Sequence, residues 1–151
     1  MDEIGRQLSE IEWEYADKDP EALAVLTKRI EEKGRNLGLI TYSELVTGMV
    51  FHFPNINDGG PYQIHTYDWS GLDRRIIGDF LGYISVRSYL EHGFMASALV
   101  VNRSESQPSD IFFEWMESLD VLPNLREDTV LAFWAEQVKK AHNWYKYGRE
   151  I

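Results

Sequence analysis

The stretch from Ser70 to Phe113 constrains this chain more than any other. Ser70 followed three positions later by Asp73 has the form of a capping box, in which the hydroxyl receives the N3 amide and the carboxylate reaches back to the cap amide. Behind it Leu72, Ile76, Ile77, Phe80, Leu81 and Ile84 fall on one broad face at helical spacing, so a helix should open here and press that face into a core. Gly78 and Gly82, four apart, share a side and leave room for another element to approach. They also weaken the helix, so residues 70–92 read either as one helix ending at Gly93 or as two broken near Gly82 and Tyr83. Met95 to Val101 follows as a near-continuous, valine-rich apolar run and predicts a buried strand. Asn102 to Asp110 is a polar turn containing Pro108. Ile111 to Leu119 is apolar and aromatic, either a short return strand running into a helix or helix throughout.

The segments before this stretch are punctuated by proline, glycine and caps. Ile4, Leu8, Ile11 and Tyr15 are spaced as one face of an amphipathic helix, which predicts a helix over Asp2 to Asp17 with a strongly acidic surface. Asp19 before Pro20 caps a second helix, with Leu23, Val25, Leu26 and Ile30 as its apolar residues, running to Lys33 and closed by Gly34 and Gly38. Leu39 to Thr41 is a short extended piece. Thr41 with Glu44 is another capping box, so a short helix begins at Tyr42, and Met49 to Phe53 reads as its last turns or as a strand.

Pro54 to Trp69 interrupts the regular elements. Asp58-Gly59 is a strong turn signal, and Tyr62 to Tyr67 is rich in strand formers, so residues 49–67 form either a hairpin or an unusually long loop. Beyond Pro123, Asn124 with Glu127 resembles a third cap. It opens a last helix through Tyr147 with Val130, Leu131, Trp134, Val138, Ala141 and Tyr145 as its stripe. The predicted fold class is α+β and mostly helical, with a small β-sheet, in one domain over 1–151: an acidic N-terminal helix (1–19), a core (20–119) and a C-terminal helix (124–147).

Composition narrows the function classes. The 151 residues are 44% hydrophobic, which suits one sizeable core, and the absence of cysteine removes disulfide and thiolate chemistry. No charged leader followed by an apolar stretch is present and no apolar run approaches a membrane span, so a soluble cytoplasmic protein with no membrane partner is expected. The formal charge of −10 disfavours broad phosphate binding and is compatible with a basic protein partner or with plain solubility.

The central order of helix, short strand, helix, connection, helix, strand, polar loop and return segment resembles a winged helix-turn-helix domain, and the chain as a whole looks like a bacterial protein. The resemblance covers about two-thirds of the chain and rests on element order. It implies that Met95 to Val101 with Ile111 to Phe113 frames a wing and that the helix from Ser70 is the recognition helix. Arg74, Arg75, Arg87 and Arg103 would then be the nucleic-acid contacts. Against this, the connection before that helix is far too long for a tight turn. The helix is also charge-neutral, with Arg74, Arg75 and Arg87 matched by Asp73, Asp79 and Glu91. The alternative for Arg74 and Arg75 is bridging to acids of the same chain.

Candidate chemistry is sparse. His52, His65, His92 and His142 show no metal-ligand spacing. His65 with Asp68 could form an acid–base pair or hold a metal, which would make the chain a small hydrolase or metal-dependent enzyme, yet such pairs are common on surfaces without function. No phosphate loop, nucleophile elbow or dinucleotide fingerprint occurs. Trp13, Trp69, Trp115, Trp134 and Trp144 are too many to bury fully with ease. The run His142 to Tyr147, beside Lys139, Lys140, Lys146 and Arg149, suits base stacking, docking across the core, or a partner interface. The reading expected from these residues is a non-enzymatic protein-interaction module of accessory or immunity type, without catalytic residues, cofactor or metal. It would bind a basic partner through Asp58, Tyr62, His65, Tyr67, Asp68 and Trp69, with a nucleic-acid regulator as the alternative.

Overall fold

A computed structural model describes residues 3–148; Asp2 and Arg149, placed above in the N-terminal helix and the C-terminal basic run, lie outside them. The helix from Ser70 forms as one piece, α4 (Gly71–His92), with five other α-helices and two small sheets around it among the described residues. Ser70 Oγ accepts the Asp73 amide at 3.0 Å and Asp73 Oδ2 accepts the Ser70 amide at 2.9 Å, so the capping box closes. At the far end Gly93, at φ 81°, donates its amide to the Tyr89 carbonyl at 2.8 Å. Of the two internal glycines only Gly82 serves a close approach: a Cβ there would stand 3.1 Å from the Trp13 ring, whereas one on Gly78 would meet nothing within 4 Å.

The N-terminal helix is shorter than its periodicity suggests. The first helix, α1 (Glu3–Ser9), covers seven residues, and the chain then leaves helical geometry. The Asp79 carboxylate on α4 accepts the amides of Tyr15 and Ala16, each at 2.8 Å, and that of Glu14 at 3.5 Å. Those donors are withdrawn from any helix, and Tyr15 and Ala16 become buried.

The second helix, α2 (Pro20–Arg35), is capped by Asp19, whose Oδ1 accepts the Ala22 amide at 3.1 Å. Its other oxygen accepts the His52 amide at 2.8 Å, tying a distant strand to the cap. Gly34 does not end α2 but lies in its last turn. Closure comes from Leu37 at φ 56°, with its amide on the Gly34 carbonyl (3.0 Å) and the Gly38 amide on the Lys33 carbonyl (2.8 Å). This is a Schellman pattern with leucine in the left-handed position that glycine normally fills. The Thr41–Glu44 box forms in both directions at 3.1 Å and opens α3 (Tyr42–Val46).

The sheets are minimal. The first strand, β1 (Ile40–Thr41), pairs in parallel with β4 (Val100–Val101), Ile40 opposite Val100. A hairpin does form between β2 (Phe51–His52) and β3 (Pro61–Tyr62), with Phe51 opposite Tyr62 and a 3-10 turn at Asn57–Gly59. Residues 63–69 continue as loop.

Met95 to Val101 is buried as expected but is mostly a 3-10 turn (Ala96–Leu99) rather than a strand. Side chains supply what a neighbouring strand would have supplied. Ser88 Oγ accepts the Ala96 amide (2.9 Å) and Ser85 Oγ the Ser97 amide (2.9 Å). Gln137 Oε1 accepts the Met95 amide (2.7 Å), and Trp134 Nε1 donates to the Ala98 carbonyl (2.8 Å). Ile111 to Leu119 is helical: α5 (Asp110–Ser118) occupies it, so the two segments expected to frame a wing do not pair with each other, and Val100–Val101 pairs with β1 instead.

The last helix, α6 (Glu127–Tyr147), starts after Arg126; Asn124 is not its cap but accepts the Arg126 amide in a turn ahead of it (3.0 Å). Along the expected stripe Ala141 is buried, while Leu131 is 42% exposed. Two apolar cores result. One gathers Leu26, Ile30, Leu45, Phe51, Phe53, Ile76 and Phe80, and the other Leu8, Val86, Met95, Phe112, Phe113 and Met116, with α4 contributing to both. Among the described residues no helix is long and apolar enough to cross a membrane.

Candidate functional site

The loop between β2 and α4 is built by local bonds and a few apolar anchors. Asn57 and Asp58 both adopt left-handed backbone (φ 51° and 52°), which their short polar side chains tolerate better than most residues. Asn57 Nδ2 donates to the Pro61 carbonyl at 3.2 Å, the Gly60 amide donates to the Asn57 carbonyl at 2.8 Å, and His52 Nδ1 lies 3.2 Å from the Gly59 carbonyl. Ile56, Ile64 and Trp69 pack against the first core and hold the loop down.

At its centre the Tyr62 hydroxyl donates to Asp73 Oδ1, so the buried cap of α4 also fastens the hairpin. Burial, and then this bond to a carboxylate, raises the Tyr62 phenol above its ordinary value.

The six residues expected to meet a partner therefore divide. Tyr62 and Trp69 are half-buried and structural, whereas Asp58, His65, Tyr67 and Asp68 face solvent. Tyr67 is 87% exposed with the His65 ring 5.7 Å away. His65 and Asp68 are joined through the backbone, the Asp68 amide donating to the His65 carbonyl at 3.0 Å. Among the described residues no group of three or more histidine, aspartate or glutamate side chains is placed to hold a metal.

The arginines do not gather. Arg75 donates to the Tyr15 hydroxyl at 3.0 Å and sits 3.9 Å from Glu14; the tyrosine bond first, then the nearby charges, holds its guanidinium above its ordinary value. Arg87 lies over the Tyr83 ring at 5.9 Å, and Arg103 is close enough to Glu44 to help lower that carboxyl. Arg74 is exposed and makes no side-chain ion pair among the described residues.

The other aromatic and histidine candidates serve packing. His142 Nε2 is 2.9 Å from the Gly38 carbonyl, and His92 stacks on Trp144 at 3.8 Å. Trp144 and Tyr145 pack against the first core, so the C-terminal run docks across it. Each of the five tryptophans is half-buried.

Sequence reading passed over one feature. Leu37 and Leu39, flanking Gly38, meet Trp134 and Val138 of α6 and with them line an open apolar groove. The only signal was two exposed-looking leucines beside a glycine read as a helix stop. No protein-family model, curated protein or solved structure matches this chain.

Proposed function

We propose that the protein is a non-enzymatic interaction module of accessory or immunity type that receives a basic protein partner on its acidic surface, with the 54–69 loop as the reading element. The observation that carries this is Tyr67: a tyrosine 87% exposed in a loop that is pinned by Tyr62–Asp73, by the hairpin and by three apolar anchors. An aromatic side chain held in water on a rigid base loses little entropy on binding, and tyrosine is enriched in interface hot spots. Asp68 follows it, Asp58 is exposed in the same loop, and residues 54–69 contain no lysine or arginine, so the complementary surface is basic. The same proposal places the protein in the cytoplasm.

The winged-helix regulator is the competing reading; the engagement of Arg75 by Tyr15 and Glu14 and the helical Ile111 to Phe113 lend it no support. Affinity purification of the tagged chain tests the proposal. A stoichiometric basic protein should be recovered, and Tyr67→Ala and the double change Asp58→Asn, Asp68→Asn should each release it. Salt-sensitive binding to DNA or RNA that weakens on Arg74→Ala and Arg75→Ala would replace this reading with the regulator. Catalysis or metal binding lost on His65→Ala would replace it with an enzyme.

A further inference from the structure

The turn after α2 and one face of α6 enclose a groove of about 560 Å³ whose lining includes Leu37, Leu39, Trp134, Val138, Lys139 and His142. It is preformed. His142 holds the Gly38 carbonyl at 2.9 Å, and Trp134 is fixed by its 2.8 Å bond to the Ala98 carbonyl.

Leu37 is the anomaly in it. The residue is 48% exposed and sits at φ 56°, where glycine is the normal occupant, so the chain retains a large apolar side chain at a position that favours neither the backbone nor solvation. Leu131, also exposed, extends the apolar stripe along α6 through Ala135 and Val138.

The charge of this face is opposite to that of the chain. Lys139 is the one lining residue with a formal charge, in a protein of net charge −10. Glu136, one turn before Lys140, is held by it at 3.3 Å, while Lys139 makes no ion pair among the described residues.

We propose that this groove docks an acidic amphipathic helix of a partner protein, with the apolar stripe of that helix on Leu37, Trp134 and Val138 and its carboxylates against Lys139. Apolar burial supplies the affinity and Lys139 sets orientation and partner choice. This surface is separate from the 54–69 loop and opposite to it in sign, so the two readings stand or fall independently.

The test titrates the isotope-labelled full chain with a synthetic amphipathic helix bearing leucines on one face and glutamates on its flanks, and with a version carrying lysines in place of the glutamates. Amide shifts should concentrate on residues 37–39 and 131–143 with the acidic peptide and be absent there with the basic one. Leu37→Gly should weaken acidic-peptide binding by roughly tenfold while melting no lower than the parent, because glycine adopts the left-handed backbone without strain. Lys139→Glu should weaken the acidic peptide and admit the basic one. Shifts outside the groove, equal binding of both peptides, or unchanged binding by Leu37→Gly overturns the proposal. So does self-association of the free chain that Leu37→Gly abolishes, since that outcome assigns the groove to a second copy.

Discussion

Tyr145 lies so close to Gly34 that a Cβ on the glycine would stand 2.3 Å from the ring Cδ2 and 3.1 Å from the tyrosine Cβ. The contact is with the root of the side chain, which no rotamer change can move away. In an isolated helix alanine would be favoured over glycine by about 1 kcal/mol. Here overpacking of about 1–3 kcal/mol opposes that preference and exceeds it. Gly34→Ala should therefore lower the denaturant midpoint, and combining it with Tyr145→Ala should be markedly non-additive in a double-mutant cycle. A Gly34→Ala protein more stable than the parent would show that α2 and α6 do not pack at this point.

Asp79 holds the segment before α2 through the amides of Tyr15 and Ala16. Replacing it with alanine leaves two donors without that acceptor and should cost about 1–3 kcal/mol. Hydrogen exchange at those two amides should accelerate well beyond the change seen at α2 amides, since the segment detaches before the cores open. Equal acceleration everywhere would show that Asp79 acts only through global stability.

Gln137 is buried, and its Oε1 accepts the Met95 amide at 2.7 Å. Gln137→Leu keeps the volume and removes the acceptor, stranding a buried amide at about 1–3 kcal/mol. Thermal unfolding should register this loss. An unchanged melting temperature would mean that Met95 finds another partner.

Alkaline stability should depend on Tyr145. Burial raises its phenol pKa well above the ordinary value, with the charges of Glu31 and Glu91 adding to the shift. A folded pKa above the unfolded one means the contribution is complete below about pH 10 and is lost as pH rises through the folded value. Tyr62, raised by burial and by Asp73, follows the same sign. Tyr145→Phe, which cannot ionise, should flatten the decline of stability above pH 10 in denaturant titrations; an unaltered slope would exclude Tyr145 as its source.

The acid side has the opposite sign. The Thr41 amide, then its hydroxyl, lowers the Glu44 carboxyl, with Lys33 and Arg103 contributing after the opposing effect of burial. A depressed folded pKa gives stability that is present above the unfolded value and fades as pH falls through the folded one. The group is exposed and the effect correspondingly small. Glu44→Gln retains a capping-box partner without the titration, so its stability should vary less than the parent's below pH 4.5, measured by chemical denaturation across that range.

What could be read in advance was what short-range chemistry decides. Asp19, Thr41 with Glu44, and Ser70 with Asp73 act on amides three residues away, and the boundaries they predict are the observed ones. The apolar face of α4 is a local periodicity, and so is the long α6. The loop was legible as an exposed, aromatic and acidic insertion because Asp58-Gly59 and the strand formers around it act locally, and the hairpin it hinted at forms over two residue pairs.

The remainder was settled by groups far apart in the chain. Ile11 to Tyr15 keeps helical spacing but is not helical, because Asp79, more than sixty residues away, captures its amides. Met95 to Leu99 reads as a strand by composition and becomes a turn because serines of α4 and Gln137 of α6 satisfy its backbone. Gly34 reads as a stop and is a contact surface for Tyr145. The groove lies where the turn after α2 meets α6, with His142 Nε2 2.9 Å from the carbonyl of Gly38, 104 residues distant in sequence. The sequence by itself determined where helices could begin and which faces were apolar; the tertiary structure decided which backbone groups found partners, since a buried amide takes whichever acceptor packing places beside it.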